Sequence, residues 1–149
     1  METKKIKKVL ITMDYDETSK KVAEVGFSIA KAMNAEIILL HVISEQIVYY
    51  SSYTSMQELK VDVMGDLKKS TQKFLDKTKK YLGDESIQTL LKKGTITDTI
   101  LETAKELDID FIVMGSHSRK WLENIILGSA AEDVLKKTTI PLLIVPTKK

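Results

Sequence analysis

The sequence predicts a doubly wound α/β domain, and three observations lead there. Short apolar, β-branched runs alternate with amphipathic helical patterns along the whole chain. The runs are continuous rather than alternating, which suits strands of a parallel sheet covered on both faces. The length of 149 residues fits one domain, with no internal repeat and no interdomain linker, so residues 1–149 read as a single unit. A chain of this size buries roughly 70% of its unfolded surface and needs no disulfide or metal to hold it.

The elements follow in order. Ile6–Met13 contains VLITM and ends at Asp14, giving a first strand. Thr18–Met33 sets Val22, Val25, Ile29 and Met33 on one helical face. Glu36–Ile43, with IILLHVI, is the second strand. Residues 44–56, containing VYYSSYTS, carry no periodic pattern; an irregular stretch of that length reads as a lid, a binding loop or a disordered segment. Leu59, Val63, Leu67, Phe74 and Thr78 predict a helix from about 57 to 80. A weaker, partly alternating run, Ile87–Leu91, is the third strand, and Ile96, Ile100, Ala104 and Leu107 mark the third helix. Phe111–Met114 stops at Gly115 as the fourth strand. Ala130–Lys137 is the fourth helix, with Ser129 and Glu132 spaced as a capping box. Leu142–Val145, between Pro141 and Pro146, is the fifth strand; proline cannot donate to a ladder, so this strand belongs at an edge. Right-handed crossovers then wind the chain on both faces of the sheet.

Composition removes several function classes. The chain is 43% hydrophobic and 30% charged, an ordinary globular balance. No apolar run approaches the ~20 residues of a membrane span. The start, METKKIKK, has no apolar core or cleavage site of a secretory signal, so the expected compartment is the cytoplasm. The absence of cysteine excludes disulfides, thiolate metal sites and cysteine nucleophiles. Residues 1–75 hold 11 Lys against 10 acidic residues, and residues 76–149 hold 12 Lys+Arg against 11, so neither half carries the positive footprint of a nucleic-acid binder. Neither GxxxxGK[ST], GxGxxG after the first strand nor GxSxG occurs. His41 and His117 are not spaced as metal ligands, and each reads as a satisfied structural residue.

Two constellations remain. Asp14 closes the first strand, and open parallel sheets bind ligands beyond the carboxyl ends of their strands. A carboxylate there can accept both hydroxyls of a ribose; the alternative is a turn or helix cap, a role that Asp16 or Thr18 could share. The second is Gly115-Ser-His-Ser118, nine residues, then Gly128-Ser129 opening the last helix, with Arg119 and Lys120 between. A helix amino end offers unpaired N–H groups to phosphate, and glycine lets the anion approach; the alternative is a plain strand–loop–helix connection.

GSHSRKWLENIILGSAAEDVL, the following IPLLIVP, the opening VLITMDYDETS and the segment AEIILLHVI together resemble the universal stress protein family over essentially the full chain. The resemblance implies a three-layer Rossmann-like fold of the adenine nucleotide alpha hydrolase type, with a five-stranded parallel sheet flanked by four helices. It implies a homodimer, here through the last strand Leu142–Val145, and a role in the stress response. The family's ATP-binding branch carries Gly-x2-Gly-x9-Gly-(Ser/Thr), which Gly115, Gly128 and Ser129 match in register. Asp14 would then hold the ribose and the backbone of Val42 the adenine. The implied nucleotide site comprises Thr12, Met13, Asp14, Val42, Met114, Gly115, Ser118, Gly128, Ser129 and Ala130, with ATP as ligand and any Mg²⁺ arriving on the triphosphate. Ser118 departs from the motif's second glycine, and Trp121 stands where many members have a small residue, either stacking on a ligand or packing over the loop. A second branch of the family binds no nucleotide. The competing reading is therefore a stress-related interaction module that works through its dimer face or the Tyr49–Tyr53 loop. Without a P-loop lysine, slow hydrolysis of ATP is the most an enzymatic reading supports.

Overall fold

Apolar side chains alternate between the two faces of the three inner strands, and both sets are buried. Val9, Ile11, Ile37, Leu39, Phe111 and Val113 join one core cluster, while Leu10, Ile38, Leu40, Ile112 and Met114 join the other. Two faces that both need cover explain why the runs are continuous in sequence. The computed structural model describes residues 1–44, 63–116 and 127–147. Their elements are β1 (Lys8–Thr12), α1 (Ser19–Ala32), β2 (Glu36–Ser44), α2 (Val63–Leu82), β3 (Gln88–Gly94), α3 (Ile96–Glu106), β4 (Phe111–Gly115), α4 (Ser129–Lys137) and β5 (Leu142–Val145).

The strands form one parallel sheet in the order β3-β2-β1-β4-β5. Val9 of the central strand lies opposite Ile37 of β2 and Phe111 of β4. Helices α1 and α2 supply Val22, Ala23, Ala30 and Leu75 to the first cluster, and α3 and α4 supply Ile100, Ala104, Ala131 and Val134 to the second. This is the doubly wound, three-layer arrangement with five strands and four helices that the sequence predicts. Right-handed crossovers put the helices there: β1 to β3 progress one way across the sheet, and the chain then jumps back past β1 to progress the other way.

Most predicted boundaries shift by one or two residues. β3 is the larger departure, running through Lys92 and Lys93 to Gly94 because it pairs with β2 as far as Ser44. Met33 leaves the buried face of α1; it is the C-cap residue and 41% exposed. Of the helix predicted over 57–80, the part from Val63 is α2, and 57–62 lie outside the described residues. Two threonines inside helices are buried without cost because each hydroxyl bonds the carbonyl four residues back. Thr71 donates to Leu67 and Thr103 to Thr99, both at 2.7 Å.

Helix α1 approaches the central strands closely at Gly26. A Cβ there would stand 2.7 Å from Ile11 Cδ1, 2.9 Å from its Cγ1 and 3.4 Å from Val113 Cγ1. Ile11 is fully buried and has little room to turn away. Gly26→Val should therefore destabilise the fold by about 2 kcal/mol through overpacking. Urea denaturation followed by circular dichroism checks this, and an unchanged midpoint would mean that α1 can lift off β1 freely.

Candidate functional site

All five strands point their carboxyl ends to one edge of the sheet, and the order reverses between β1 and β4. Open α/β sheets form a ligand crevice at such a reversal, because the helices that follow β1 and β4 lie on opposite faces. Thr12 ends β1 beside it, and its Oγ1 donates to the Val113 carbonyl of β4 at 3.3 Å. Met13 continues the pairing by one bond, its N–H donating to Leu40 O at 2.7 Å. The side chain of Met13 is buried in the α1/α2 core, so this residue meets the crevice only through its backbone. Asp14 follows and is exposed. The turn into α1 is organised by Asp16: its Oδ1 accepts the Thr18 N–H at 2.9 Å, and its carbonyl accepts the Ser19 hydroxyl at 2.7 Å. Asp16 thus shares in the turn role that the sequence left open among Asp14, Asp16 and Thr18, and Thr18 is the N-cap of α1.

Across the crevice, β4 ends at Gly115 and hands over to Ser116. Ser116 N–H donates to Val145 O at 2.9 Å, and Ser116 O accepts the N–H of Gly128 at 3.1 Å. That second bond pins the amino end of α4 to the end of β4. The capping box expected from Ser129 and Glu132 does not form. Gly128 is the N-cap, extended at φ −68° and ψ 159°, and no side chain caps the helix. The tertiary bond from Gly128 moves the helix start one residue forward, leaving Ser129 inside the first turn and exposed. Without a side-chain cap, the first N–H groups of α4 point out of the helix without an intrahelical partner.

Beside this end lies a cleft of about 570 Å³, lined by Ser44, Thr95, Ile96, Thr97, Ser129, Ala130, Glu132, Asp133 and Lys136. The amino ends of α3 and α4 both open onto it, and neither carries a side-chain cap. The carboxylates of its wall are held in place. A hydrogen bond from Thr97, acting against burial and aided by Lys137 and Lys136, keeps the Asp133 carboxyl below the usual range. Lys137 lies 3.6 Å from Asp133 and Lys136 3.2 Å from Glu132, one turn on along the same helix. These pairings offset the negative charge that would oppose an anion. Among the described residues no group of three His, Asp or Glu could hold a metal ion.

Nine of the ten sequence-predicted residues gather at this edge: Thr12, Met13, Asp14, Val42, Met114, Gly115, Gly128, Ser129 and Ala130 all stand at the carboxyl ends of β1, β2 and β4 or the start of α4. Val42 and Met114 pack with the α3/α4 cluster, on the side where the cleft lies. Only Ser129 and Ala130 of the nine line the cleft itself, which is set toward α3 and β2. Ser118 lies outside the described residues, as do Trp121, Arg119, Lys120 and Tyr49–Tyr53. The start of α3 was missed. Its signal is Gly94-Thr95 before a helix, the same small-then-hydroxyl pair as Gly128-Ser129. His41 is also more involved than its isolation in the sequence suggests: Nδ1 lies 2.6 Å from Met13 O.

A family model described as the universal stress protein family matches residues 5–146. Universal stress protein YxiE of Bacillus subtilis is 31% identical over 144 residues, covering 93% of this chain and 97% of its own. Universal stress protein MJ0577 of Methanocaldococcus jannaschii is 30% identical, over 95% of this chain and 96% of its own. The solved structure of MJ0577 matches with a TM-score of 0.76 over 97% of this chain and 99% of that one. A universal stress protein solved in complex with cAMP shares the fold at 20% identity, with a TM-score of 0.69 over 97% of this chain and 100% of that one.

Proposed function

The chain belongs to the universal stress protein family, and on that premise we propose that it binds ATP at the carboxyl edge of its sheet, as a regulatory nucleotide in the stress response. The observation that carries this reading is the amino end of α4. It is fixed to the end of β4 through Gly128, uncapped by any side chain and open to the cleft. That is the arrangement by which backbone N–H groups and a helix dipole hold phosphate. A volume of about 570 Å³ lies within the roughly 300–1,000 Å³ of small-molecule sites. The cAMP complex of a protein with this fold supports an adenine nucleotide as the ligand class.

In this reading the phosphates lie against Gly115 and Gly128–Ala130, Asp14 accepts the ribose hydroxyls, and the Val42 backbone meets the adenine beside Thr12 and Met114. Mg²⁺ enters with the triphosphate, which supplies its oxygen ligands. The sequence has no P-loop lysine, so in this reading the protein binds and reports on nucleotide, with hydrolysis slow at most.

The reading also includes a homodimer through β5. This strand lies at the sheet edge with β4 as its neighbour. Ile112 N–H donates to Pro141 O and Ser116 N–H to Val145 O, both at 2.9 Å. By strand alternation, the main-chain groups of Leu142 and Ile144 then face the outer edge. A second copy is the self-complementary way to cover them.

Three outcomes follow. Gly128→Val should weaken ATP binding at least tenfold in calorimetry. Its φ of −68° suits any residue, so the added side chain acts by blocking the N–H groups. Equal affinities would remove the phosphate assignment. Asp14→Ala should weaken ATP but leave inorganic triphosphate within twofold, since triphosphate has no ribose; parallel losses would point to a structural or metal role. Ile144→Pro should leave the β4 ladder intact and remove an outward donor, converting a dimer into a monomer in light scattering. A wild-type mass of one chain at micromolar concentration would remove the dimer.

A further inference from the structure

Asp14 leaves the end of β1 as the middle residue of an arch over the side chain of His41. The strand pairing of β1 with β2 ends at Thr12 and Leu40, and one further bond ties Met13 N–H to Leu40 O. The carbonyl of the same residue, Met13, is then met by a side chain: His41 Nδ1 stands 2.6 Å from Met13 O. A carbonyl oxygen only accepts, so the imidazole must donate, which fixes the ring with its proton on Nδ1. On the far side of Asp14, the ring of Tyr15 meets the same imidazole edge-on, with centroids 6.4 Å apart at 65°. Tyr15 is itself held against Phe74 of α2 at 4.9 Å. The residue before Asp14 is thus hydrogen-bonded to His41, and the residue after it packs on His41.

We propose that His41 is a positioning residue for Asp14. The bond to Met13 O fixes the plane of the Met13–Asp14 peptide, and the ring contact with Tyr15 fixes where the chain goes next. Together they limit the rotations available to Asp14 at its backbone. An aspartate on a free loop end would lose that freedom on binding, whereas one whose backbone is already held has less to lose. The strand supplies the imidazole at no cost in order, because His41 lies within the β2–β3 pairing opposite Leu91. The benefit to the ligand rests on the ribose role given to Asp14; the positioning itself does not.

Two measurements test the proposal. The first needs no ligand. Nitrogen-15 spectra of the imidazole should show the Nδ1–H form, and relaxation of the Asp14 and Tyr15 amides should show ordered backbone. His41→Leu should loosen both amides, and His41→Asn, whose side-chain amide can donate from near the Nδ1 position, should restore them. An Nε2–H ring, or amides equally ordered in His41→Leu, would overturn the proposal whether or not nucleotide binds. The second measurement is calorimetry with ATP and with inorganic triphosphate. His41→Leu should weaken ATP about tenfold, the scale of one lost bond to a charged group, with triphosphate within twofold and recovery in His41→Asn. Combining His41→Leu with Asp14→Ala should cost no more than Asp14→Ala alone, because one residue acts through the other. Additive losses would overturn the link. Failure of the wild-type protein to bind ATP would instead remove the nucleotide reading and leave the amide measurement to decide the positioning.

Discussion

The constraint on which the rest depends is the reversal of winding direction at β1. Five parallel strands must be joined by crossovers of one hand, and a chain that only ever moved one way would stack all its helices on one face. The other face of the sheet would then stay bare. Here two crossovers cover one face, and the jump from β3 past β1 to β4 starts covering the other. The cost of burying both faces is a single place where neighbouring strands send their chains apart. Open α/β sheets place their ligands beside such a reversal, and the described candidate site residues stand at the strand ends around it.

The two edges of the sheet are treated differently. At the amino edge the strands are stitched together. The Asp110 carboxylate accepts Lys7 N–H at 2.7 Å and Lys8 N–H at 2.9 Å, while the Asp110 N–H donates to Lys8 O and the Glu36 N–H to Lys7 O. Burial pushes the Asp110 carboxyl up, but these bonds and Lys4 outweigh it and hold it below its usual value. At the carboxyl edge, strand pairing gives way one bond past β1, and helix amino ends stand without side-chain caps. Rigidity at one edge lets the opposite edge keep exposed donors without loss of the fold.

Local pattern carried far in the reading of the fold, and its failures share a cause. The inner runs were legible because two buried faces make their strands mostly apolar, while Ile87–Leu91, at an edge, was weaker. Lys92 and Lys93 broke that rule at β3, yet they continue the strand; an edge strand tolerates lysine, and Lys92 reaches Glu106 of α3 at 3.2 Å. The apolar pattern says nothing of Thr71 and Thr103, which are fully buried with their hydroxyls satisfied within their own helices. The capping box at Ser129 was a sound local signal overruled by a distant one, the Ser116 carbonyl that captures Gly128. At the site, the positions adjoining strand ends were legible from Asp14, Gly115 and Gly128. The convergence of α3 was not, because Thr95 and Ser129 are 34 residues apart and only the sheet order brings them to one cleft.

That convergence shapes what the cleft can hold. Two helix amino ends present positive potential to the same space, and a single anion between them would be drawn by both. Asp133 and Glu132 stand in the same wall, Glu132 in the first turn of α4 itself, and their charge is offset by Thr97 and, one turn on, by Lys136 and Lys137, so the potential is graded rather than uniform. A ligand with charge at one end and an uncharged body fits such a gradient better than a compact anion does. In the proposed reading its charged end would lie at Ser129 and Ala130, which line the cleft together with Ile96, and its uncharged part toward Val42 and Met114, which pack in the α3/α4 cluster. A nucleotide has that polarity.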